Sequence, residues 1–338
     1  MGAMGTWEQV ENRPITSRKE VTIQGKKIEL VNLEKKLWHG VTKKDLIDYY
    51  KKIAPYILNY LKDRPLALNF NPNGPFRENF FLRGLEGHHP EWAEVFTTKR
   101  KHPKKGKSPL IEWLVCNDLA TLIYIINLEN IDIHPWGSRV ESFTHPDYII
   151  IDLDPTIPDT ESEEEKKNGR EEGFLKAIET ALKAKEFLDE HKIKSFVKTS
   201  GKTGIHLYLP CEGIQYGEEG KKGEARTIAE NICNEIHQLV RDITTTSFSQ
   251  AAREDKVFVD YSQNDYADRV ACAYCCRANY LPTVSAPIEW KEVNQKLSPE
   301  NFTIHNMADR VKKKGDLRKG LFDKKMKVEN NNQLKQFL

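Results

Sequence analysis

Residues 148–155 read YIIIDLDP. Tyr148 to Ile151 form a nearly continuous apolar, β-branched run, the pattern of a strand buried on both faces. Such a strand needs cover from other elements, so the chain has to build a layered α/β or α+β domain. The run ends in charge. Side chains at i and i+2 of a strand share a face, so Asp152 and Asp154 project together just before Pro155 stops the strand. Two such carboxylates repel each other and lose hydration. A divalent cation is the usual compensation, and hard oxygen ligands suit Mg²⁺ or Mn²⁺. The alternative is that the pair only caps a strand end. VFVDYSQN offers a second strand with Asp260 as its inward carboxylate. Three carboxylates on neighbouring strands can hold two metals for nucleotidyl transfer.

The remaining elements alternate between strand and helix. VTIQGKKIELVNL reads as an extended entry around a tight turn. Thr42 and Asp45 form a capping-box start for a helix whose apolar residues run Leu46, Tyr49, Tyr50, Ile53, Ile57, Leu61. Pro55 is expected to kink or split it. LALNFN (66–71) reads as a strand, residues 84–109 as polar and irregular, and Asn117 or Asp118 as the cap of a helix through LATLIYIINLEN. Residues 156–172 read as a solvated acidic loop before an amphipathic helix. FVKT, IHLYL, VFVDY and VACAYCC read as strands, and ARTIAENICNEIHQLVRDI as a further helix.

Between FVKT and IHLYL lies Ser-Gly-Lys-Thr-Gly. It is not a P-loop: the first glycine of that motif would fall on Phe196, and a strand rather than a helix follows. The turn can still serve phosphate if the amides near Gly201 and Gly204 face outward as an anion nest, with Lys202 adding charge. His206 stands two residues into the next strand. A tight hairpin with a structural histidine is the competing reading.

The ordered set of segments resembles the polymerase domain of bacterial and archaeal ligase D, the primase-polymerase of prokaryotic non-homologous end joining. The resemblance is carried by NLEKKLW with TKKDLIDYY, RPLAL, PNG, ENFF, LATLIYIINLENIDIHPWGSR, HPDYIIIDLDP, TSGKTGIHLYLP, VFVDYSQN, CCRANYLPTVSAPIEW and FTI with RVKKKGD. It implies an archaeo-eukaryotic primase-type α/β (α+β) fold, with an RRM-like catalytic sheet joined to a second α/β module. Residues 30–325 would be the catalytic domain, 1–29 an N-terminal extension and 326–338 a frayed tail. Asp152, Asp154 and Asp260 would be the metal triad, for Mn²⁺ or Mg²⁺. Ser200, Gly201, Lys202 and His206 would lie along the phosphates of an NTP or dNTP, with His134 in the nucleotide pocket. Arg253 and Arg277 match phosphate-pairing arginines and Gln263 a nucleotide-side glutamine. Lys35 and Lys43 match lysines that grip a 5′-phosphate across a DNA gap, and Phe80 and Phe81 match template-stacking aromatics. Expected partners are DNA ends, Ku and a DNA ligase; the expected activity is template-directed gap filling at DNA ends with a preference for ribonucleotides, the alternatives being a DNA primase or a non-catalytic DNA end-bridging module. The chain departs from the family at Asn69, where a basic residue is usual, and at Thr203, where the lysine of the turn usually stands.

Composition narrows the rest. Lys plus Arg is 52 against 50 Asp plus Glu, a formal charge of +2. That balance hides segregation, because residues 99–107 hold six basic residues and no acid while 159–172 hold seven acids against three bases. Counterion release by a nucleic acid needs such basic clusters. No apolar run approaches the roughly 20 residues of a membrane span. No signal pattern opens the chain, and the six cysteines form no disulfide framework, so a cytoplasmic (nucleoid-associated) protein with reduced thiols is expected. Cys272 and Cys275 have C-x-x-C spacing but no second pair, which speaks against zinc. No Lys-x-Asp-Gly ligase nucleophile is present, so the chain is expected to be a polymerase that stands alone or is cut from a larger protein.

Overall fold

The structure, a computed structural model, describes residues 3–4, 7–77, 79–82, 84–100, 108–160, 162–217 and 221–338. Most of the basic run, residues 101–107, and Arg83 lie outside the described residues. The chain forms two compact units with interleaved segments. One comprises Met1–Glu141, Arg269–Ser285 and Phe302–Lys313; the other Ser142–Asp268, Ala286–Asn301 and Lys314–Leu338. Mixed helix and sheet in both units agrees with the α/β expectation.

The second unit is built on YIIIDLDP. Its six-stranded sheet runs in the order Thr244–Thr245, Val257–Asp260, Tyr148–Pro155, Ile205–Pro210, Phe196–Thr199, Pro287–Ile288. All neighbours are antiparallel except the first pair. Ile149, Ile151 and Leu153 are fully buried beneath the helices Glu163–Glu190 and Glu224–Leu239. The first helix comes close because it offers Ala177, Ala181 and Ala184 to the sheet, and because a Cβ at Gly173 would stand 2.9 Å from Pro155 Cβ. Each buried Ile or Leu here contributes about 2 kcal/mol. The alternate side chains, Asp152 and Asp154, emerge on the opposite face.

In the first unit, strands Ala3–Met4, Phe80–Leu82, Pro65–Phe70, Leu110–Val115, Glu94–Lys99 and Asn130–Pro135 form the sheet, with Pro65–Phe70 paired to three of the others. Helices Lys43–Leu61 and Leu119–Asn127 pack with it through Tyr50, Ile53, Leu122 and Ile126, all at most 1% exposed. The Tyr50 hydroxyl donates to Ile131 O and accepts from Cys276 N–H. Asp118 caps the second helix by accepting from Thr121 N–H.

Several expectations are corrected. Pro55 does not split its helix, which runs unbroken from the Thr42–Asp45 capping box to Leu61. Residues 94–99, within the stretch read as irregular, are a strand that pairs with residues 110–115. The acidic stretch is helical from Glu163: Ser162 caps it and Glu163, Glu164 and Glu165 fill the first turn, where the helix dipole favours negative charge. VACAYCC is not a strand. Tyr274 has φ of 67°, which breaks the extended run and leaves isolated bridges such as Cys276 to Val284. The C-terminal residues are not frayed, since Lys324–Leu334 is a helix. The Asn330 amide donates to Lys194 O (2.9 Å) and Pro210 O (3.1 Å), and its carbonyl accepts from Lys194 N–H (2.8 Å). Lys327 pairs with Asp147, and Leu334 is fully buried. The tail is held because it satisfies backbone groups at the ends of two sheet strands.

Replacing Asn330 by Leu removes these hydrogen bonds, the buried one to Pro210 O included, at about 2 kcal/mol. Urea unfolding of the variant should show that loss; an unchanged midpoint would mean that the C-terminal helix does not support the sheet.

Candidate active site

The register of the second sheet builds a transverse row. Asp152 stands opposite Asp260 on one side and opposite His206 on the other, and His206 stands opposite Lys198. Directly opposed residues share a face with Cβ atoms about 5 Å apart. Lys198, His206, Asp152 and Asp260 therefore cross four strands in line, and Asp154 sits one step along from Asp152, opposite Phe258. His206 Nε2 lies 3.3 Å from Asp152 Oδ1. Asp260 Oδ1 accepts from Ser262 N–H at 2.6 Å, and Asp154 Oδ1 accepts from the Thr203 hydroxyl at 3.4 Å. Asp154 is exposed and Asp152 and Asp260 half-buried. Sequence reading missed Lys198, which is fully buried. Its signal was the period of two that sets it on one face with Ser200.

All three acids are hard oxygen donors on one face, still reachable from solvent, which fits Mg²⁺ or Mn²⁺ better than a soft metal. Among the described residues no group of three His, Cys, Asp or Glu side chains is placed so as to hold a metal ion.

The Ser-Gly-Lys-Thr-Gly turn joins two strands of this sheet. Gly201 has φ of 77°, and a Cβ at Gly204 would stand 2.4 Å from Leu153 O, so no larger residue fits there without moving a strand. The Ser200 hydroxyl accepts from Lys202 N–H (3.1 Å) and Gly204 N–H (2.9 Å). Those amides turn inward, which corrects the outward nest read from the sequence. The half-buried Lys202 side chain is the charge this turn offers.

Past Asp260, the Asn264 amide clamps Ile150, donating to its carbonyl at 2.7 Å and accepting from its N–H at 2.8 Å. This buried residue, also missed, fixes the strand that carries Asp152. Gln263 Nε2 reaches the Ser262 hydroxyl at 3.3 Å. The Arg253 guanidinium lies 3.4 Å from the ring centroid of Phe258, and its Nε donates to Ser247 O at 3.0 Å.

The first unit gathers a separate cluster. Arg277 Nε donates to Asp132 Oδ2 at 3.2 Å, and His134 Nε2 lies 3.7 Å from the same oxygen. Burial, more than any other cause, lowers the His134 pKa to about 4, so the ring is neutral at pH 7. Asp132 was not singled out, though the alternation in IDIHP puts it on one face with His134. Phe81 meets His134 edge-on at 5.6 Å and is half-buried. Phe80 is core: it is 7% exposed and stacks on Phe70 at 5.8 Å. The alternation of the strand thus puts Phe80 in the core and leaves Phe81 as the one that reaches the surface, as two neighbours on a strand are expected to divide.

The two lysines also separate. Lys35 is part-exposed. Its Nζ donates to Pro72 O and to Glu129 Oε2, and it borders a cavity of about 790 Å³ with Asn32, Asn73 and Arg77. Lys43 is 1% exposed and donates to Asn127 O at 2.7 Å, with Glu129 Oε1 at 3.7 Å. As the first residue of its helix it points into the unit, so its expected surface role is corrected. Asn69 is buried and its Oδ1 has no hydrogen-bond partner.

Burial lowers the Lys43 pKa from 10.5 to about 8 despite Glu129. A lysine with a folded pKa below its unfolded value is destabilising in its charged form. That cost is fully present below pH 8 and fades as pH rises to 10.5. The stability of the wild type relative to Lys43→Met should therefore rise between pH 7.5 and 10, by up to roughly 3 kcal/mol. Parallel denaturation curves across that range would show that Lys43 does not titrate this way.

No helix among the described residues is long and apolar enough to cross a membrane. The family model described as "LigD, primase-polymerase domain" matches residues 42–318. The "Bifunctional non-homologous end joining protein LigD" of Bacillus subtilis is 31% identical over 86% of this chain and 43% of its own length. The "Multifunctional non-homologous end joining protein LigD" of Mycolicibacterium smegmatis is 26% identical over 86% and 35%. The chain thus spans less than half the length of these curated relatives. A solved structure, "Polymerase Domain from Mycobacterium tuberculosis Ligase D in complex with DNA", superposes with a TM-score of 0.71 at 23% identity, covering 88% of this chain and 98% of that one. That likeness shows that the two chains share a fold. With the family model spanning most of its length, the chain belongs to the LigD primase-polymerase domain family.

Proposed function

We propose that the protein is a template-directed nucleotidyltransferase that extends strands or fills gaps at DNA double-strand-break ends, using two Mn²⁺ or Mg²⁺ ions and preferring ribonucleotides. The observation that carries the reading is the row of acids on one sheet face, Asp152 opposite Asp260 with Asp154 beside them, in a chain of this family. Bound there, the metals would neutralise developing charge and lower the pKa of the attacking hydroxyl. His206 orients Asp152 from the next strand, and Ser262 N–H holds Asp260. Lys202 and Arg277 supply cationic donors for triphosphate oxygens. Ser200 shapes the phosphate turn, while Gln263 and the neutral His134 contact sugar or base. Lys35, with Arg77 beside the cavity, binds a 5′-phosphate across a gap. Ku and a DNA ligase are proposed partners, and the cytoplasm is the proposed setting. The DNA in the solved relative supports a DNA substrate.

The Asp152→Ala, Asp154→Ala double variant should lose Mn²⁺-dependent primer extension by at least 10³-fold, while its circular dichroism stays that of the wild type. Extension that survives removes the triad from the reaction. Lys35→Ala should reduce the preference for a gapped duplex with a 5′-phosphate over one without it by about 10-fold, the scale of one charge-assisted hydrogen bond. If the wild type binds both duplexes equally, Lys35 has no such role.

A further inference from the structure

Phe248 is half exposed, at 50%, yet its ring is fixed. It meets Phe258 edge-on at 5.3 Å (interplanar angle 70°) and Tyr261 at 5.5 Å (82°). Arg253 covers Phe258 at 3.4 Å and has its guanidinium 5.7 Å from the Phe248 ring. Phe258 stands opposite Asp154 and two residues from Asp260, so this platform adjoins the carboxylate face. A solvent-facing aromatic held by two other rings, with a guanidinium beside it, matches how proteins stack a base and pair its phosphate.

Strand order says which base it takes. The phosphate turn joins Phe196–Thr199 to Ile205–Pro210, on one flank of Tyr148–Pro155. Phe248 and Arg253 belong to the other flank, beyond Val257–Asp260. In-line transfer puts the attacking hydroxyl and the leaving pyrophosphate on opposite sides of the phosphorus between them, with a metal serving each. With the triphosphate on the Lys202 side, the flank of Phe248 is left for the strand being extended. We infer that Phe248 is the stacking shelf for the 3′-terminal base of that strand, with Arg253 on its phosphate. The inference rests on the nucleotidyltransferase reading for the placement of the triphosphate.

A duplex with a 3′ overhang ending in 5-iododeoxyuridine provides the test, because this base cross-links under long-wave ultraviolet light to an aromatic ring stacked on it. With the full chain and Mn²⁺, the cross-link should map by mass spectrometry to Phe248, and should vanish from Phe248 when the iodinated base is moved to the recessed 5′ end. Phe248→Leu, which keeps bulk but removes the π-face, should bind the overhang about 10-fold more weakly, and Phe248→Tyr should bind as the wild type does. A cross-link on Phe81 or elsewhere, or unchanged binding by Phe248→Leu, overturns the shelf. If the wild type cross-links through Phe248 but adds no nucleotide, the shelf stands and the polymerase reading fails.

Discussion

The antiparallel register that sets Asp152 between Asp260 and His206 governs the second unit. A strand buried by helices on one face has little freedom to slip, because a shift of one residue would put Ile151 and Leu153 where Asp152 and Asp154 now stand. The apolar packing of Ile149, Ile151 and Leu153 thereby fixes the position of the acids. Asn264 adds a second lock by hydrogen bonding both backbone groups of Ile150. The repulsion built into the acidic row is offset by fixed donors: the His206 ring, Ser262 N–H and the Thr203 hydroxyl.

Charge is handled differently in the first unit. Glu129 is buried between Lys35 and Lys43, and Asp132 is buried between Arg277 and His134. Desolvation makes an isolated buried carboxylate very costly, so each acid holds cations at fixed positions. Lys35 and Arg277 are therefore part of ordered networks rather than mobile surface charges.

How much of this was legible follows from the range of each signal. YIIIDLDP, VFVDYSQN and the Thr42 capping box are local patterns, and the structure repeats them as two strands of one sheet and a helix start. The meeting of Asp152 with Asp260 is non-local and came through resemblance; the register now supplies its geometry. What escaped was polar and long-range. Asn264 and Asn330 act through backbone partners more than 100 residues away, and nothing near them in sequence marks that; Asp132 shares a face with His134, but its ion pair with Arg277 is equally distant in sequence. The acidic run looked like a loop because its charges suggest solvent, yet three glutamates at a helix start are favourable. Lys43 looked exposed because lysines usually are, and its partner Glu129 lies 86 residues on.

The close approach at Gly204 ties two parts of the site to a single atom. Leu153 O, the point that excludes a side chain at Gly204, belongs to the residue between Asp152 and Asp154. The hairpin and the acid-bearing strand are thus geared: neither can be remodelled at that point without displacing the other. Lys202 and Thr203 stand just before that contact, and the Thr203 hydroxyl reaches Asp154, the next carboxylate on the geared strand.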